Sequence, residues 1–280
     1  MVKEKFKRFI DNSVITCPNC SSVLKLNERS LICSNNHCFD IAKQGYVNLL
    51  QGSKKYDNYD KASFENRKTV LEAGLYDAIL EFIIEYIGKF PEKENILDVG
   101  CGEGYYSNKI AGRLHKNTFA FDISKDSIAL AARADRENLV KWFVSDLAHI
   151  AVKDGSMDFI LDIFSPANYD EFSRILKSDG RLIKVVPGEN HLAEIRNKVK
   201  SLLKNSDYSN KRVIDCFSDS FDIDFSERLT YSCKLSPETL QALIEMTPLL
   251  FNVDTDKIDW SDIDEVTIDA EILVGKDKNR

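Results

Sequence analysis

One stretch, Asn95 to Ser107 with the sequence N-I-L-D-V-G-C-G-E-G-Y-Y-S, constrains the fold of this chain more than any other. Its first residues are apolar and partly β-branched, as expected of a buried strand. Glycine then occupies every second position, at Gly100, Gly102 and Gly104. Glycine permits backbone angles that other residues avoid, and it lets the chain approach a ligand closely. The segment therefore predicts a strand, a ligand-binding turn and a helix.

Two carboxylates accompany this turn. Asp98 lies within the strand, where an acidic side chain is a poor choice for packing alone. Asp122 ends a second strand-like run, and a carboxylate there can accept hydrogen bonds from both hydroxyls of a ribose. The spacing G-x-G-x-G also differs from the G-x-G-x-x-G of dinucleotide sites. The combination resembles the S-adenosylmethionine site of the Rossmann-like methyltransferases.

Two helix patterns precede residue 94, and the chain after it alternates strand and helix patterns, as a parallel α/β sheet requires. Strands are predicted at 95–99, 118–122, 140–145, 157–163, 181–186, 221–233 and 266–274. Helices are predicted at 61–73, 76–89, 105–114, 126–135, 168–177, 189–204 and 236–246. We therefore predict an α/β fold with a Rossmann-like, seven-stranded methyltransferase domain. Ligands of such sheets bind at the carboxyl ends of the strands, where Asp146 would lie near the adenine of the cofactor.

Length and charge restrict the function further. A chain of 280 residues is long enough for about two domains. It has no apolar run near the ~20 residues of a membrane span, and its charged N-terminus lacks a signal-peptide core. We expect a cytoplasmic protein with no membrane partner. The net charge is −7, but residues 1–70 carry +5 and residues 71–280 carry −12. A phosphate-bearing partner is therefore expected at the N-terminal quarter.

A metal site is predicted in that quarter, because four of the seven cysteines lie between residues 17 and 38. Such clustering in a cytoplasmic chain favours a metal over disulfides. Cys17 and Cys20 form a C-x-x-C knuckle, and Cys33 follows after a predicted short hairpin. Four N/S ligands in a tetrahedron suit Zn²⁺. The spacing leaves the fourth ligand open between the adjacent His37 and Cys38.

The zinc knuckle and the glycine-rich turn together resemble the zinc-containing bacterial 23S ribosomal RNA guanine-N1 methyltransferases, a family that includes macrolide-resistance methylases. The matching segments cover nearly the whole chain: C-P-N-C at 17–20, C-S-N-N-H at 33–37, F-D-I-A-K-Q-G-Y-V-N-L-L at 39–50, L-E-A-G-L-Y at 71–76, L-D-V-G-C-G-E-G-Y-Y at 97–106, D-I-S-K at 122–125, P-G-E-N-H-L at 187–192 and M-T-P at 246–248. The resemblance implies a zinc-binding RNA-recognition module with its linker over 1–60 and the methyltransferase domain over 61–280.

The resemblance implies methyl transfer from S-adenosylmethionine to N1 of a guanine, in a 23S rRNA hairpin near the peptide exit tunnel, and a homodimer. It implies four zinc ligands, Cys17, Cys20, Cys33 and His37, and thus excludes Cys38. Its cofactor contacts fall on Tyr76, Tyr106, Ser107 and His191, which join Asp98, Gly100, Gly102, Asp122 and Asp146. Asp162 lies where some relatives carry a basic residue, so no catalytic role is assigned to it.

The chemistry of the acceptor narrows the reaction. Guanine N1 carries a proton and becomes a good nucleophile only when that proton leaves, so an acceptor must lie nearby. N1 is on the Watson–Crick edge, so the target base must be unpaired or flipped out. Ser165 and Pro166 stand where exocyclic-amine methylases carry N/D-P-P-Y, and the nucleophilic cysteine of pyrimidine C5 methylases is missing there.

The RNA contacts are predicted from the basic N-terminal quarter. The candidates for phosphate contacts are Lys43, Lys54, Lys55 and Arg67, and Tyr46 is either a base-stacking residue or part of the core. Two other functions stay open. A methyltransferase acting on a small molecule or protein would share the sheet but have no use for the zinc knuckle. A non-catalytic RNA-binding protein would not need the intact glycine-rich turn.

Overall fold

The computed structural model describes residues 4–52, 61–203 and 208–278. In these ranges the chain forms a three-stranded sheet and an eight-stranded sheet. Lys54 and Lys55, and most of the linker predicted before residue 61, lie outside the described residues, so the boundary at 60/61 stays a prediction. None of the helices in the described ranges is both long and apolar enough to cross a membrane.

The N-terminal sheet is small and antiparallel. A short 3₁₀ helix, Glu4–Phe9, precedes strands β1 (Lys25–Asn27), β2 (Ser30–Ile32) and β3 (Cys38–Asp40). Leu24 and Leu31 are fully buried, and they share one apolar core with residues of the large sheet. Strands β1 and β2 pair in antiparallel register, so the hairpin predicted between the cysteines is confirmed. Its apolar side chains are buried together with residues of the large sheet.

The remaining part of the chain alternates strands of the large sheet with helices, as the sequence predicts. Its elements are β4 (Tyr46–Asn48), α1 (Lys61–Glu72), α2 (Asp77–Gly88), β5 (Asn95–Val99), α3 (Tyr105–Leu114), β6 (Asn117–Asp122), α4 (Lys125–Ala134), β7 (Val140–Val144), β8 (Met157–Ile163), α5 (Tyr169–Ile175), β9 (Leu176–Pro187), α6 (Ala193–Lys198), α7 (Lys211–Ser220), β10 (Phe221–Lys234), α8 (Pro237–Met246) and β11 (Glu265–Asp277). The spatial order is β10-β11-β9-β8-β5-β6-β7-β4.

The topology places a ligand site at the end of β5. Strands β4 to β9 of this sheet run parallel, and β11 and β10 are antiparallel additions at one side. Strand β5 pairs with β6 on one side and β8 on the other, so the strand order reverses there. Open α/β sheets bind ligands outside the carboxyl ends of strands at such a switch point.

Apolar residues cover both faces of β5. Ile96 and Leu97 are fully buried on opposite sides of the sheet and belong to separate apolar clusters. Helix α2 covers one face because its apolar residues recur at helical spacing: Ile79, Leu80, Ile83, Ile84 and Ile87 are all buried. Burying each such side chain is worth about 1.5–3 kcal/mol. The strand that leads into the glycine-rich turn is thus held firmly.

The seven strands predicted for the methyltransferase domain are all present, and the large sheet gains an eighth strand from outside that domain. The extra strand is β4, from the segment assigned to the zinc module, and Tyr46 pairs with Trp142 of β7 in parallel register. Tyr46 is only 4% exposed, so it belongs to the core and cannot stack on an RNA base. The physical reason is the apolar pair Tyr46 and Val47, which is buried where β4 covers the otherwise open edge of β7.

Two further expectations need correction. The helix predicted at 189–204 is shorter, because only 193–198 are α-helical and a 3₁₀ turn follows at 200–202. Helix α7 was not predicted at all. Its sequence, K-R-V-I-D-C-F-S-D-S, is polar overall and buries Phe217 alone, but Val213, Ile214 and Phe217 recur at helical spacing, so the helix could have been predicted from the sequence. The helix expected at 236–246 and the terminal hairpin are confirmed.

Candidate functional site

The glycine-rich turn adopts a conformation that requires glycine. The φ angles of Gly100, Gly102 and Gly104 are +64°, +56° and +81°, all in the left-handed region. A Cβ atom on Gly100 would lie 2.9 Å from the Cβ of Ser165. One on Gly104 would lie 2.5 Å from a ring carbon of Trp142. The turn therefore fits tightly between Trp142 of β7 and Ser165, which follows β8.

Asp122 is fixed against this turn. Its Oδ2 atom accepts a hydrogen bond from the backbone N–H of Gly102 at 3.0 Å, and its Oδ1 atom accepts one from Ser124 at 2.8 Å. Each carboxylate oxygen retains acceptor capacity for a ribose hydroxyl. Burial raises the pKa of Asp122, while the two backbone hydrogen bonds act in the opposite direction. Asp146 lies two residues beyond Val144, the partner of Asp122 across the sheet, so it shares the same sheet edge.

Asp98 is a buried carboxylate with one short hydrogen bond. It is 2% exposed, and its Oδ2 atom accepts from the Ser107 hydroxyl at 2.5 Å. Burial raises the pKa of Asp98 to about 7, against the lowering effects of Ser107 and Arg67. Because a nearby cation favours the ionised form, a positively charged ligand group would bind best when Asp98 is deprotonated.

Arg67 lies over the turn, although the sequence analysis predicted it to be a contact for an RNA phosphate. Its Nε atom is 3.6 Å from Oε2 of Glu103. Its guanidinium carbon would be 3.5 Å from a Cβ atom on Gly102. Helix α1 brings Arg67 there, and the only sequence signal was its position in a helix that precedes the turn. Arg67 is therefore a site residue that sequence reasoning gave another role.

An aromatic cluster closes the site on the side of β9. Tyr76 lies edge-on to Phe164 with ring centroids 5.6 Å apart, and the rings of Phe164 and His191 stack at 5.8 Å. The Tyr76 hydroxyl is 3.4 Å from Nε2 of His191. Phe164 has a φ of +53°, which is unusual for a bulky residue. The structure thus brings the predicted Tyr76 and His191 together and adds Phe164, which the sequence did not single out.

His191 is neutral at physiological pH. Burial lowers its pKa to about 4. Its Nδ1 atom faces the backbone N–H of Asp269 at 3.4 Å, so Nδ1 acts as an acceptor and the ring proton lies on Nε2. Nε2 can then donate to the Tyr76 hydroxyl.

The site fits S-adenosylmethionine by the test of its buried polar atoms. The hydroxyl of Tyr106 is buried and has no hydrogen-bond partner among the described residues. Buried polar groups are nearly always satisfied, so this hydroxyl points to a ligand group. The glycine backbone and the carboxylate of Asp122 supply the features that an adenosine needs. When bound, the cofactor supplies a methyl group already activated on a sulfonium.

Asp162 forms a buried ion pair below the turn. Its Oδ2 atom is 2.6 Å from Nζ of Lys184, and its Oδ1 atom accepts from the Ser165 hydroxyl at 2.6 Å. Burial raises the pKa of Asp162 to about 6, and Lys184 opposes this. Both oxygens are engaged, so this carboxylate holds the loop after β8 against Gly100.

The metal-binding cluster has the composition that the resemblance implies. The ligand atoms of Cys17, Cys20, Cys33 and His37 all lie within 4.8 Å of one another. Nδ1 of His37 is 3.4 Å from the sulfurs of Cys17 and Cys33, and the sulfurs of Cys20 and Cys33 are 3.6 Å apart. Zn–S bonds of 2.3 Å in a tetrahedron imply S–S distances of about 3.8 Å. Cys38 is exposed and outside the cluster. This donor set fits Zn²⁺.

Known protein families match the segment with the Cys/His cluster and the segment with the glycine-rich turn. Residues 15–56 match a zinc-ribbon family described as "RlmA, N-terminal", and residues 96–184 match a methyltransferase domain family. YxjB of Bacillus subtilis (strain 168), which carries the provisional name 23S rRNA (guanine-N(1)-)-methyltransferase, is 35% identical over 96% of this chain and 99% of its own. The 23S rRNA (guanine(748)-N(1))-methyltransferase of Streptomyces fradiae is 28% identical over 93% of this chain and 95% of its own.

One solved structure resembles this chain in its fold but has little sequence identity to it. The PH0226 protein from Pyrococcus horikoshii OT3 superimposes with a TM-score of 0.50 at 17% identity, covering 81% of this chain and all of that one.

Proposed function

Because the chain belongs to the family of the 23S rRNA (guanine-N1)-methyltransferases, we propose that it transfers a methyl group from S-adenosylmethionine to N1 of a guanine in 23S rRNA. The observation that carries the proposal is the presence, in one fold, of the Cys/His cluster and the glycine-rich turn with Asp122. A methyltransferase of small molecules or proteins would have no use for the cluster.

The roles of the site residues are part of the proposal. The zinc ligands are Cys17, Cys20, Cys33 and His37, and the cofactor is bound by Tyr76, Asp98, Gly100, Gly102, Tyr106, Ser107, Asp122, Asp146 and His191. Methyl transfer from a sulfonium needs mainly the alignment of donor and acceptor, which a rigid turn supplies. The aromatic cluster keeps water away from the reacting atoms.

The N1 proton of guanine must leave during the reaction. His191 is a poor base for it, because its pKa is about 4 and Nδ1 already faces a backbone N–H. Asp162 is equally unsuited, since Lys184 and Ser165 occupy both of its oxygens. The proposal therefore assigns these two residues to positioning and leaves proton removal to another acceptor near N1.

The partner and its setting follow from the family and the charge distribution. We place the target guanine in a hairpin near the peptide exit tunnel, and the enzyme in the cytoplasm as a homodimer. The acidic methyltransferase part repels phosphates, so RNA affinity comes mainly from the basic N-terminal quarter. Lys43 is exposed there and available for a phosphate, and Lys54 and Lys55 are the other proposed contacts.

Primer extension on 23S rRNA tests the function. N1-methylguanine blocks reverse transcriptase, so a deletion strain should lose one stop that the parent strain shows. The intact gene should restore the stop, and a gene with Asp122→Ala should not, because the ribose contact is lost. A stop that persists in the deletion strain refutes the proposal. Transfer of labelled methyl groups to protein or small molecules alone would favour the alternative substrate class.

A further inference from the structure

The half-buried Arg67 lies close to the buried Glu103 beside the turn. The Glu103 side chain is 4% exposed, and neither of its oxygens has a hydrogen-bond partner in the described part of the chain. The Nε atom of Arg67 lies 3.6 Å from Oε2 of Glu103, which is longer than a hydrogen bond. An ionised carboxylate is costly to bury in this state, so the pair is not placed there for stability.

The described residues around the turn include three carboxylates. Asp98 and Glu103 are buried, Asp122 is half-buried, and burial raises the pKa of each. Arg67 lowers the pKa of all three, so it is a cation that they share. A guanidinium carries five donors in a planar fork, which matches a carboxylate in a bidentate geometry.

The position of Arg67 indicates which group of the ligand its guanidinium would contact. Asp122 marks the nucleoside side of the turn, and Asp98 lies at the end of the strand that enters it. With the nucleoside at Asp122, Gly102 lies beside the nucleoside side of the turn, because its N–H donates to Asp122, and the amino-acid end of S-adenosylmethionine would extend from there. That end is a zwitterion with one ammonium and one carboxylate. Arg67 lies over Gly102, and the carboxylates are suited to the ammonium.

We propose that Arg67 binds the carboxylate at the amino-acid end of the methyl donor, and that Glu103 positions Arg67 for this contact. The inference rests on the cofactor assigned under the proposed function, and it gives Arg67 a role in cofactor binding instead of RNA binding. An RNA phosphate is the competing partner. It is disfavoured because the Arg67 side chain is only 28% exposed and lies beside the buried carboxylate of Glu103.

Two cofactor analogues separate the contact from the rest of the site. S-adenosylhomocysteine carries the amino-acid end, whereas 5′-methylthioadenosine lacks it and keeps the nucleoside. Calorimetric titration of the zinc-loaded protein should show that Arg67→Met weakens S-adenosylhomocysteine binding about 10- to 100-fold. Its binding of 5′-methylthioadenosine should change less than about twofold. Arg67→Lys should recover part of the loss, because it restores the charge but not the fork.

Further variants make the test specific. Lys68→Met is the matched control, since Lys68 is the next residue of α1 and pairs with Glu72 on the surface; it should bind both ligands normally. Glu103→Gln should weaken S-adenosylhomocysteine binding less than Arg67→Met does, and the double variant should be no weaker than Arg67→Met. Additive losses would show that Glu103 acts independently of Arg67.

The outcomes distinguish this inference from the proposed function. If the parent protein fails to bind S-adenosylhomocysteine, the cofactor assignment itself is wrong. If the parent binds and Arg67→Met binds equally well, only the role of Arg67 is refuted. Equal loss for both ligands would show a structural role. Loss of rRNA binding by Arg67→Met, with cofactor affinity intact, would assign the guanidinium to an RNA phosphate.

Discussion

Replacing Asp98 by asparagine should stabilise the cofactor-free protein while weakening the cofactor. Asp98 is fully buried at the end of β5, and burial raises its pKa from 3.8 to about 7. The folded protein therefore resists ionisation of this group, whereas the unfolded chain ionises it readily. Asparagine keeps the shape and removes the charge, and the Ser107 hydroxyl can turn to accept a hydrogen bond from it.

The sign and size follow from proton linkage. A raised folded-state pKa gives a stability contribution that is complete below pH 4 and is lost as the pH rises through 7. The whole interval corresponds to ~4 kcal/mol, at about 1.4 kcal/mol for each tenfold change in the ionisation constant. Between pH 5 and pH 8 the parent protein should therefore lose ~2–3 kcal/mol from Asp98 alone. The Asp98→Asn variant should not show this loss.

Urea unfolding at pH 5 and pH 8 measures the effect as a difference between differences. Groups that do not interact with Asp98 contribute equally in both proteins and cancel, whereas loss of the Asp98 charge also eases the ionisation of Glu103 and Asp122 and so reinforces the effect. Glu92→Gln removes an exposed carboxylate and is the control, so its difference in unfolding free energy from the parent should be the same at both pH values. Ser107→Ala removes the donor to Asp98 and should steepen the pH dependence. An unfolding free-energy difference between Asp98→Asn and parent that is equal at pH 5 and pH 8 would refute the reasoning.

Three further perturbations test other parts of the molecule. Chelation should remove one Zn²⁺ per chain and lower the unfolding temperature, and Cys38→Ser should keep the metal in a dye-release assay, because Cys38 lies outside the cluster; loss of zinc from that variant would contradict the ligand set. Lys184→Met should cost ~3–5 kcal/mol in urea unfolding by stranding Asp162, and adding Asp162→Asn should recover part of it; a loss below 1 kcal/mol would contradict this. Reversing Lys54 and Lys55 to Glu should weaken rRNA binding and flatten its salt dependence by about 0.7–0.9 per lost contact, with cofactor affinity unchanged; an unaltered salt slope would remove them from the interface.

The features that could be predicted from the sequence are those set by neighbouring residues. The glycine-rich turn depends on φ angles at alternate positions, and the metal cluster depends on C-x-x-C and C-x₃-H spacing, so both are visible in short segments. The alternation of strands and helices follows from apolar periodicity in the same way. These predictions needed no knowledge of which elements meet in space.

The features that were missed depend on contacts between distant segments. Arg67 reaches the turn only because α1 packs near it, and nothing in its local sequence separates it from a surface arginine. Phe164 was not predicted because it follows β8 whereas His191 follows β9, and the two residues meet only in the folded chain. Tyr46 was ambiguous because an aromatic residue in a short apolar run suits either a core strand or a base-stacking surface.

Strand β4, which the sequence analysis assigned to the zinc module, is one of the links between the N-terminal part and the large sheet. Strand β4 joins the large sheet through β7, and Tyr46 pairs there with Trp142. The Trp142 ring lies against Gly104, and its Nε1 atom donates to Asp135 at 3.0 Å. The segment that follows the Cys/His cluster is thus one residue pair away from the glycine-rich turn. Because protein interiors are closely packed, a displacement of β4 must move Trp142 or open a gap beside Gly104. RNA held by the N-terminal module would therefore be oriented relative to the methyl donor through the sheet itself.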